Sequence, residues 1–261
     1  MDLRDKWKIN HQSICSIEHY NDKTKIASGT GFRINKFIIT NNHVYHCESA
    51  THTIVKFVEK DSKSIAVQKK YSKEEFQRLL VAGDNADNWD YAILNADNDF
   101  TSIPKLVLCE KEFPIDIGSE IYFLGFPLLS DNLTITGGVI SSKYLHESKV
   151  KYIQIDASVN SGNSGGALFD FKTDKIIGIV TRKNTGLTKN FNELKKSFAD
   201  NILNLENASK MGGVQIMGID PLGGLKIIQS QMNLLSDEMF RSSNVGIGYA
   251  FELEEIRKGL N

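Results

Sequence analysis

The chain has 261 residues, with 31 Lys and Arg against 32 Asp and Glu, a formal net charge of -1, and 41% hydrophobic residues. That length suffices for one large all-β unit or two modest domains with a sizeable core. Near-neutrality removes the electrostatic case for nucleic acid or an anionic membrane, and no apolar run approaches the ~20 residues that span a bilayer.

The first ten residues, MDLRDKWKIN, alternate charge and polarity where a signal peptide needs a continuous apolar core. Read as a complete chain, the protein is expected to be cytoplasmic. Short runs rich in β-branched and aromatic residues then follow at 14–20, 25–34, 37–40, 53–59, 64–70, 77–82 and 89–94, and each reads as a strand. Residues 104–119 read as a connection. A second set of strands is expected at 120–125, 133–141, 152–157, 166–169 and 175–182. From 184 to 243 the apolar positions turn towards helical spacing, as in Phe191, Leu194, Phe198, Ile202 and Leu205, and less regularly in Ile227, Ile228, Leu234, Leu235 and Met239. Strand character returns at 245–251, and Leu253, Ile256 and Leu260 mark one face of a closing helix. The expectation is an all-β protein of two barrels. The first spans 1–103, the second 120–183 with 244–261, and a helical insertion at 184–243 precedes the last strand. Cys15, Cys47 and Cys109 are too few and odd in number for a disulfide framework and fit a reducing compartment.

Three residues invite chemistry. Ser164 lies in Gly162-Asn163-Ser164-Gly165-Gly166, where flanking glycines permit a tight turn, keep bulk from a substrate and leave amides free for a developing oxyanion. The alternative is a glycine-rich hairpin turn carrying a surface serine. A serine hydroxyl needs a base, and His43 follows the strand 37–40 at a barrel rim, although a strand-end histidine is also compatible with a structural role. Asp90 stands at the head of an apolar strand, unlike Asp84, Asp87, Asp97 and Asp99 in polar stretches. A carboxylate there needs a partner, either an imidazole N–H or local backbone amides.

His43, Asp90 and Ser164 fall in the order His, Asp, Ser. They are accompanied by Gly29-Thr30-Gly31-Phe32, Thr40-Asn41-Asn42-His43-Val44, Asp90-Tyr91-Ala92-Ile93, Gly125-Phe126-Pro127, Thr136-Gly137-Gly138-Val139, Ile177-Gly178-Ile179-Val180-Thr181 and Gly246-Ile247-Gly248-Tyr249. With these motifs the sequence resembles the chymotrypsin-fold (trypsin-like) serine proteases, and most closely the protease domain of the HtrA (DegP-like) family. The resemblance implies a chymotrypsin-like double six-stranded β-barrel, with a Ser-His-Asp triad acting on polypeptides and no cofactor or metal. It gives Gly162 and Ser164 as oxyanion donors. Ser158, six residues before the nucleophile, falls at the base of the specificity pocket, and serine there disfavours Lys or Arg as the cleaved residue. Val180, Thr181, Arg182 and Lys183 become candidates for contacting substrate along a strand edge.

The family usually adds a signal or anchor and PDZ domains, neither of which is evident here, so control by a PDZ domain is not carried over. Asn163 replaces the aspartate that pairs with a newly cut N-terminus in digestive relatives, which argues against activation by cleavage. The insertion is expected either to gate the cleft or to bind a regulatory partner, and the resemblance adds a possible trimer. The rival reading is an inactive protease-like module that binds peptides or scaffolds an assembly. A metal enzyme using His43, His46, Cys47 and His52 lacks any HExxH signature. A calcium loop at 84–95 has Trp89 where glycine is needed and Asn95 where glutamate is needed. A dinucleotide site fails because Gly29-Thr30-Gly31 lacks the third glycine.

Overall fold

Helix α1 (Leu3–Asn10) precedes β1 (Ile14–Asn21), β2 (Thr24–Ile34), β3 (Phe37–Thr40), α2 (Asn42–Tyr45), β4 (His52–Val58), β5 (Ile65–Ser72), α3 (Lys73–Arg78), β6 (Leu80–Asp84) and β7 (Tyr91–Asn95). There follow β8 (Glu120–Gly125), β9 (Thr134–Leu145), β10 (Lys151–Asp156), β11 (Ala167–Asp170), β12 (Ile176–Thr181), α4 (Gly186–Lys210), α5 (Pro221–Ser243), β13 (Gly248–Glu252) and α6 (Glu254–Leu260). This computed structural model describes residues 2–85, 88–111, 113–127, 131–145, 150–181, 186–210, 220–243 and 246–260. Residues 1–182 with 246–261 form one compact unit and 183–245 a second.

The first unit carries two sheets. One has seven strands in the order β5-β4-β1-β2-β3-β7-β6, as many as the runs read between 14 and 94 and one more than the six the resemblance implied, with its edge strands β5 and β6 joined through α3. The other is a closed six-stranded barrel, β10-β13-β12-β11-β8-β9. The chymotrypsin-like architecture inferred from the sequence is the one observed. Period-2 alternation explains how one sheet serves two cores. Ile39 and Ile93 join the core shared with Tyr122, Leu124, Ile179 and Phe251 of the barrel. Their neighbours Ile38, Ala92 and Leu94 face a second core with Val44, Phe57 and Phe100.

Local expectations failed where side chains override strand texture. Residues 77–82 were expected to be a strand, but Ser72 caps α3 in a capping box with Glu75, and the strand starts only at Leu80. Helix α1 was not anticipated. Asp2 accepts from the Asp5 amide at its start, and the buried Lys6 pairs with Asp174 at 2.8 Å while lying over the Phe171 ring.

The second unit is the helical pair α4 and α5, as the spacing predicted. The predicted apolar faces hold only in part. Phe198 is buried, whereas Leu194, Ile227, Ile228, Leu234 and Leu235 are exposed. On α5, Gln229 Oε1, Asn233 Oδ1 and Ser236 Oγ are instead buried with no hydrogen-bond partner among the described residues. Spacing identified the helices but not which face is hidden. Phe191 and Met239 have side chains outside the described set.

Candidate active site

Strand register brings His43 and Asp90 together. Strands β3 and β7 pair antiparallel with Thr40 opposite Ala92, so the residues just after β3 meet those just before β7. Asn41 opens the single helical turn of α2, which carries His43. The His43 backbone N–H donates to Asp90 Oδ1 at 3.0 Å, and His43 Nδ1 lies 2.7 Å from Asp90 Oδ2. Thr181 Oγ1–H donates to the same Oδ2 at 3.3 Å, and the Asn41 side-chain amide donates to the Asp90 carbonyl at 2.7 Å. Asp90 is 5% exposed, against 39% for His43. Three donors offset the cost of burying its carboxylate. Its φ of 41° lies in the left-handed region, which aspartate tolerates better than most residues. An ionised carboxylate only accepts, so the proton of the neutral ring belongs on Nδ1 and the lone pair on Nε2.

The Ser164 loop is held from both sheets. Thr30 N–H donates to the Ser164 carbonyl at 2.9 Å, and Thr30 Oγ1–H donates to the Gly162 carbonyl at 2.6 Å. Gly165 N–H donates to the Val180 carbonyl, and Val180 N–H to the Gly166 carbonyl, each at 2.8 Å. Gly162 has φ 96° in a turn closed by Asn163 N–H on the Asn160 carbonyl at 3.0 Å. Positive φ at the third position is the type II pattern that requires glycine, and a Cβ there would overlap the Phe126 carbonyl oxygen. Ser164 and His43 line one cleft of about 280 Å³ together with Gly162. Among the described residues, Ser164 Oγ makes no hydrogen bond to His43, a contact that commonly tightens only when substrate is bound.

The geometry bears on the specificity candidates one by one. Val180 is fully buried, and its N–H and carbonyl are both bonded to the Ser164 loop, so its N–H is not free to pair with a substrate strand. Thr181 is buried as a donor to Asp90, a positioning role that no local sequence signal announces. Ser158 Oγ accepts from Gly246 N–H at 3.1 Å. Arg182 and Lys183 lie outside the described residues, as does Asp87.

Sequence reasoning also missed His19. This buried ring donates through Nε2–H to the Val44 carbonyl at 2.6 Å, next to His43, and its Nδ1 accepts from Thr53 Oγ1–H at 2.9 Å. Burial holds its pKa below the ordinary histidine value, against the raising influence of the Val44 carbonyl. A depressed folded-state pKa means that the unfolded chain binds the proton more readily. The stability tied to neutral His19 is therefore complete above about pH 6.5 and is lost as pH falls below it. The urea midpoint should drop between pH 7 and pH 5, and drop less in His19→Gln. Equal drops in the two proteins would remove His19 as the cause.

Comparison with known proteins adds sequence and fold relationships. The profile of the family described as "Trypsin-like peptidase domain" matches residues 29–179. A "Probable periplasmic serine endoprotease DegP-like" from Hahella chejuensis is 29% identical over 158 residues, covering 59% of this chain and 29% of the relative. "Serine protease Do-like HtrA" from Bacillus subtilis is 30% identical over 178 residues, covering 62% of this chain and 35% of that protein. The chain thus spans about a third of the length of these relatives. The inactive form of the Rv3671c protein from M. tuberculosis superposes with a TM-score of 0.55 at 18% identity, covering 98% of this chain and 89% of that one. At that identity the likeness concerns the fold.

Proposed function

The chain belongs to the trypsin-like peptidase family, and from that premise we propose that it is a serine endopeptidase in which Ser164, His43 and Asp90 form the triad. The observation that supports the proposal is the His43–Asp90 hydrogen bond at 2.7 Å, in a protein where His43 and Ser164 line one cleft. Ser164 Oγ attacks the scissile carbonyl carbon as His43 Nε2 takes its proton, and the carbonyl oxygen becomes an oxyanion. The N–H groups of Gly162 and Ser164 receive that oxyanion, each such donor being worth ~3 kcal/mol in the transition state. Collapse breaks the C–N bond, and His43 returns the proton to the leaving amine. Water then repeats the sequence on the acyl-enzyme and frees Ser164.

The Ser158 hydroxyl supports a preference for small or apolar side chains, since no carboxylate stands at that position to pair with Lys or Arg. The regulatory part of the proposal is carried by the second unit, where α5 exposes Ile227, Ile228, Leu234 and Leu235. Apolar surface of this kind suits a protein partner. The three free cysteines support a reducing setting, although the DegP-like relative is named periplasmic.

One assay tests these points. The protein is incubated with an unfolded polypeptide, with and without cell lysate, and the cut sites are read by mass spectrometry. Internal cleavage after small or apolar residues is expected, faster with lysate. Cuts after Lys or Arg would refute the pocket assignment, and an unchanged rate with lysate would refute the partner. Absence of cleavage in both conditions, with no labelling of Ser164 by a fluorophosphonate, would overturn the peptidase proposal.

A further inference from the structure

Away from the Ser164 cleft, the first unit holds a larger cavity of about 680 Å³ between the inter-sheet connection, the ends of β9 and β10, and α6. Its size falls in the ~300–1,000 Å³ range of sites for small organic ligands. The lining is apolar at depth, where Ile177 and Leu253 are buried. Leu108, Phe113 and Leu260 are only partly covered and leave apolar surface towards the opening.

The charged groups around this lining are unbalanced. Five cationic side chains line the cavity against three carboxylates among the described residues. Glu254 is paired with Lys151 at 2.7 Å, Glu110 is paired with Lys175 outside the cavity, and Glu252 lies in the field of Lys151. Among the described residues the hydrogen bonds of Arg257 and Lys143 go to neutral acceptors. Arg257 Nη2 donates to the carbonyls of Cys109 and Glu110, and Lys143 Nζ donates to the Ile115 carbonyl. Among the described residues neither forms an ion pair with a carboxylate. Among the described residues the Arg257 contacts all use Nη2, which leaves Nε–H and the Nη1 hydrogens to donate singly to an incoming acceptor.

From this arrangement we propose that the cavity is a binding site for a carboxylate carried on an apolar chain, a medium-chain fatty acid, with its head on Arg257 and Lys143 and its chain over Leu108, Phe113 and Leu260. An apolar chain gains by covering the partly exposed lining. A carboxylate supplies the ion pair that, among the described residues, neither cation makes, although Arg257 lies in the field of Glu110. The site is separate from the Ser164 cleft, so the proposal stands or falls independently of the peptidase reading.

Calorimetric titration of the whole protein tests it with three probes: decanoate below its micellar concentration, decyltrimethylammonium and acetate. Decanoate is expected to bind saturably at one per chain, while the cation with the same chain and the carboxylate without it do not bind. Arg257 also ties α6 to the Cys109 carbonyl, so the exposed Lys143 carries the charge test. Lys143→Gln should weaken decanoate about tenfold. Leu108→Trp, with an unchanged circular dichroism spectrum, should abolish binding by filling the cavity. No saturable decanoate binding, equal binding of the cation, or an affinity indifferent to both substitutions would overturn the assignment.

Discussion

Ser164→Ala is expected to lower kcat for peptide-bond hydrolysis by about 10⁶-fold while leaving KM within a few-fold, because removing the nucleophile of a cooperating triad costs nearly as much as removing the whole triad. The substitution isolates chemistry from folding. Ser164 is held through its backbone, by Thr30 N–H on its carbonyl, and among the described residues no hydrogen bond to its hydroxyl is found. Alanine therefore removes Oγ without orphaning a partner, and the urea midpoint should move little. Alanine also keeps the φ/ψ preferences of the position, whereas a change at Gly162 or Gly165 would strain the loop through positive φ. Fluorophosphonate labelling should vanish in the same variant. Retained hydrolysis at even a hundredth of the wild-type rate would show that Ser164 is not the nucleophile, and a collapse of the urea midpoint would show that the side chain is structural.

The strands of the seven-stranded sheet and of the closed barrel were legible because alternation of apolar residues is a local property. Strands β1, β2, β3 and β7 begin and end within two residues of their expected limits. The candidates were marked by local signals of other kinds: a glycine turn around Ser164, a strand end before His43, and for Asp90 a carboxylate at the head of an apolar strand, which is costly without a partner. What local pattern could not supply was partnership across the chain. Lys6 reads as a surface charge until Asp174 and the Phe171 ring are beside it. Thr181 reads as the end of an apolar strand until its hydroxyl is found on Asp90. Val180 shows the same limit from the other side, because a buried strand residue carries no sign that its backbone is already bonded to the Ser164 loop. Helix α3 was different, for its Ser72 and Glu75 capping box is a local signal that strand texture outweighed.

Asp90→Asn should lower kcat by about 10⁴-fold at neutral pH, and the reason lies in which oxygen each donor claims. The His43 backbone N–H can only donate, and it bonds Oδ1 at 3.0 Å. In the variant the single amide oxygen must therefore take the Oδ1 place, or that half-buried N–H loses its acceptor. The amide NH2 then falls at the Oδ2 place, 2.7 Å from His43 Nδ1 in the native arrangement. Two donors cannot face each other, so Nδ1 must become the acceptor and the ring proton must move to Nε2. An Nε2 that already carries a proton cannot take the one on Ser164. Thr181 does not oppose this arrangement, because its hydroxyl can rotate to accept from the new NH2 where it formerly donated to Oδ2. Asparagine also tolerates the φ of 41° at position 90, so the fold survives where alanine would add backbone strain to the lost hydrogen bonds. The kinetic loss should coincide with a change of tautomer, read from imidazole ¹⁵N shifts as Nδ1–H in the native protein and Nε2–H in the variant. A variant that keeps its rate within tenfold, or that loses activity with the native tautomer intact, would mean that Asp90 does not act by setting the protonation of His43.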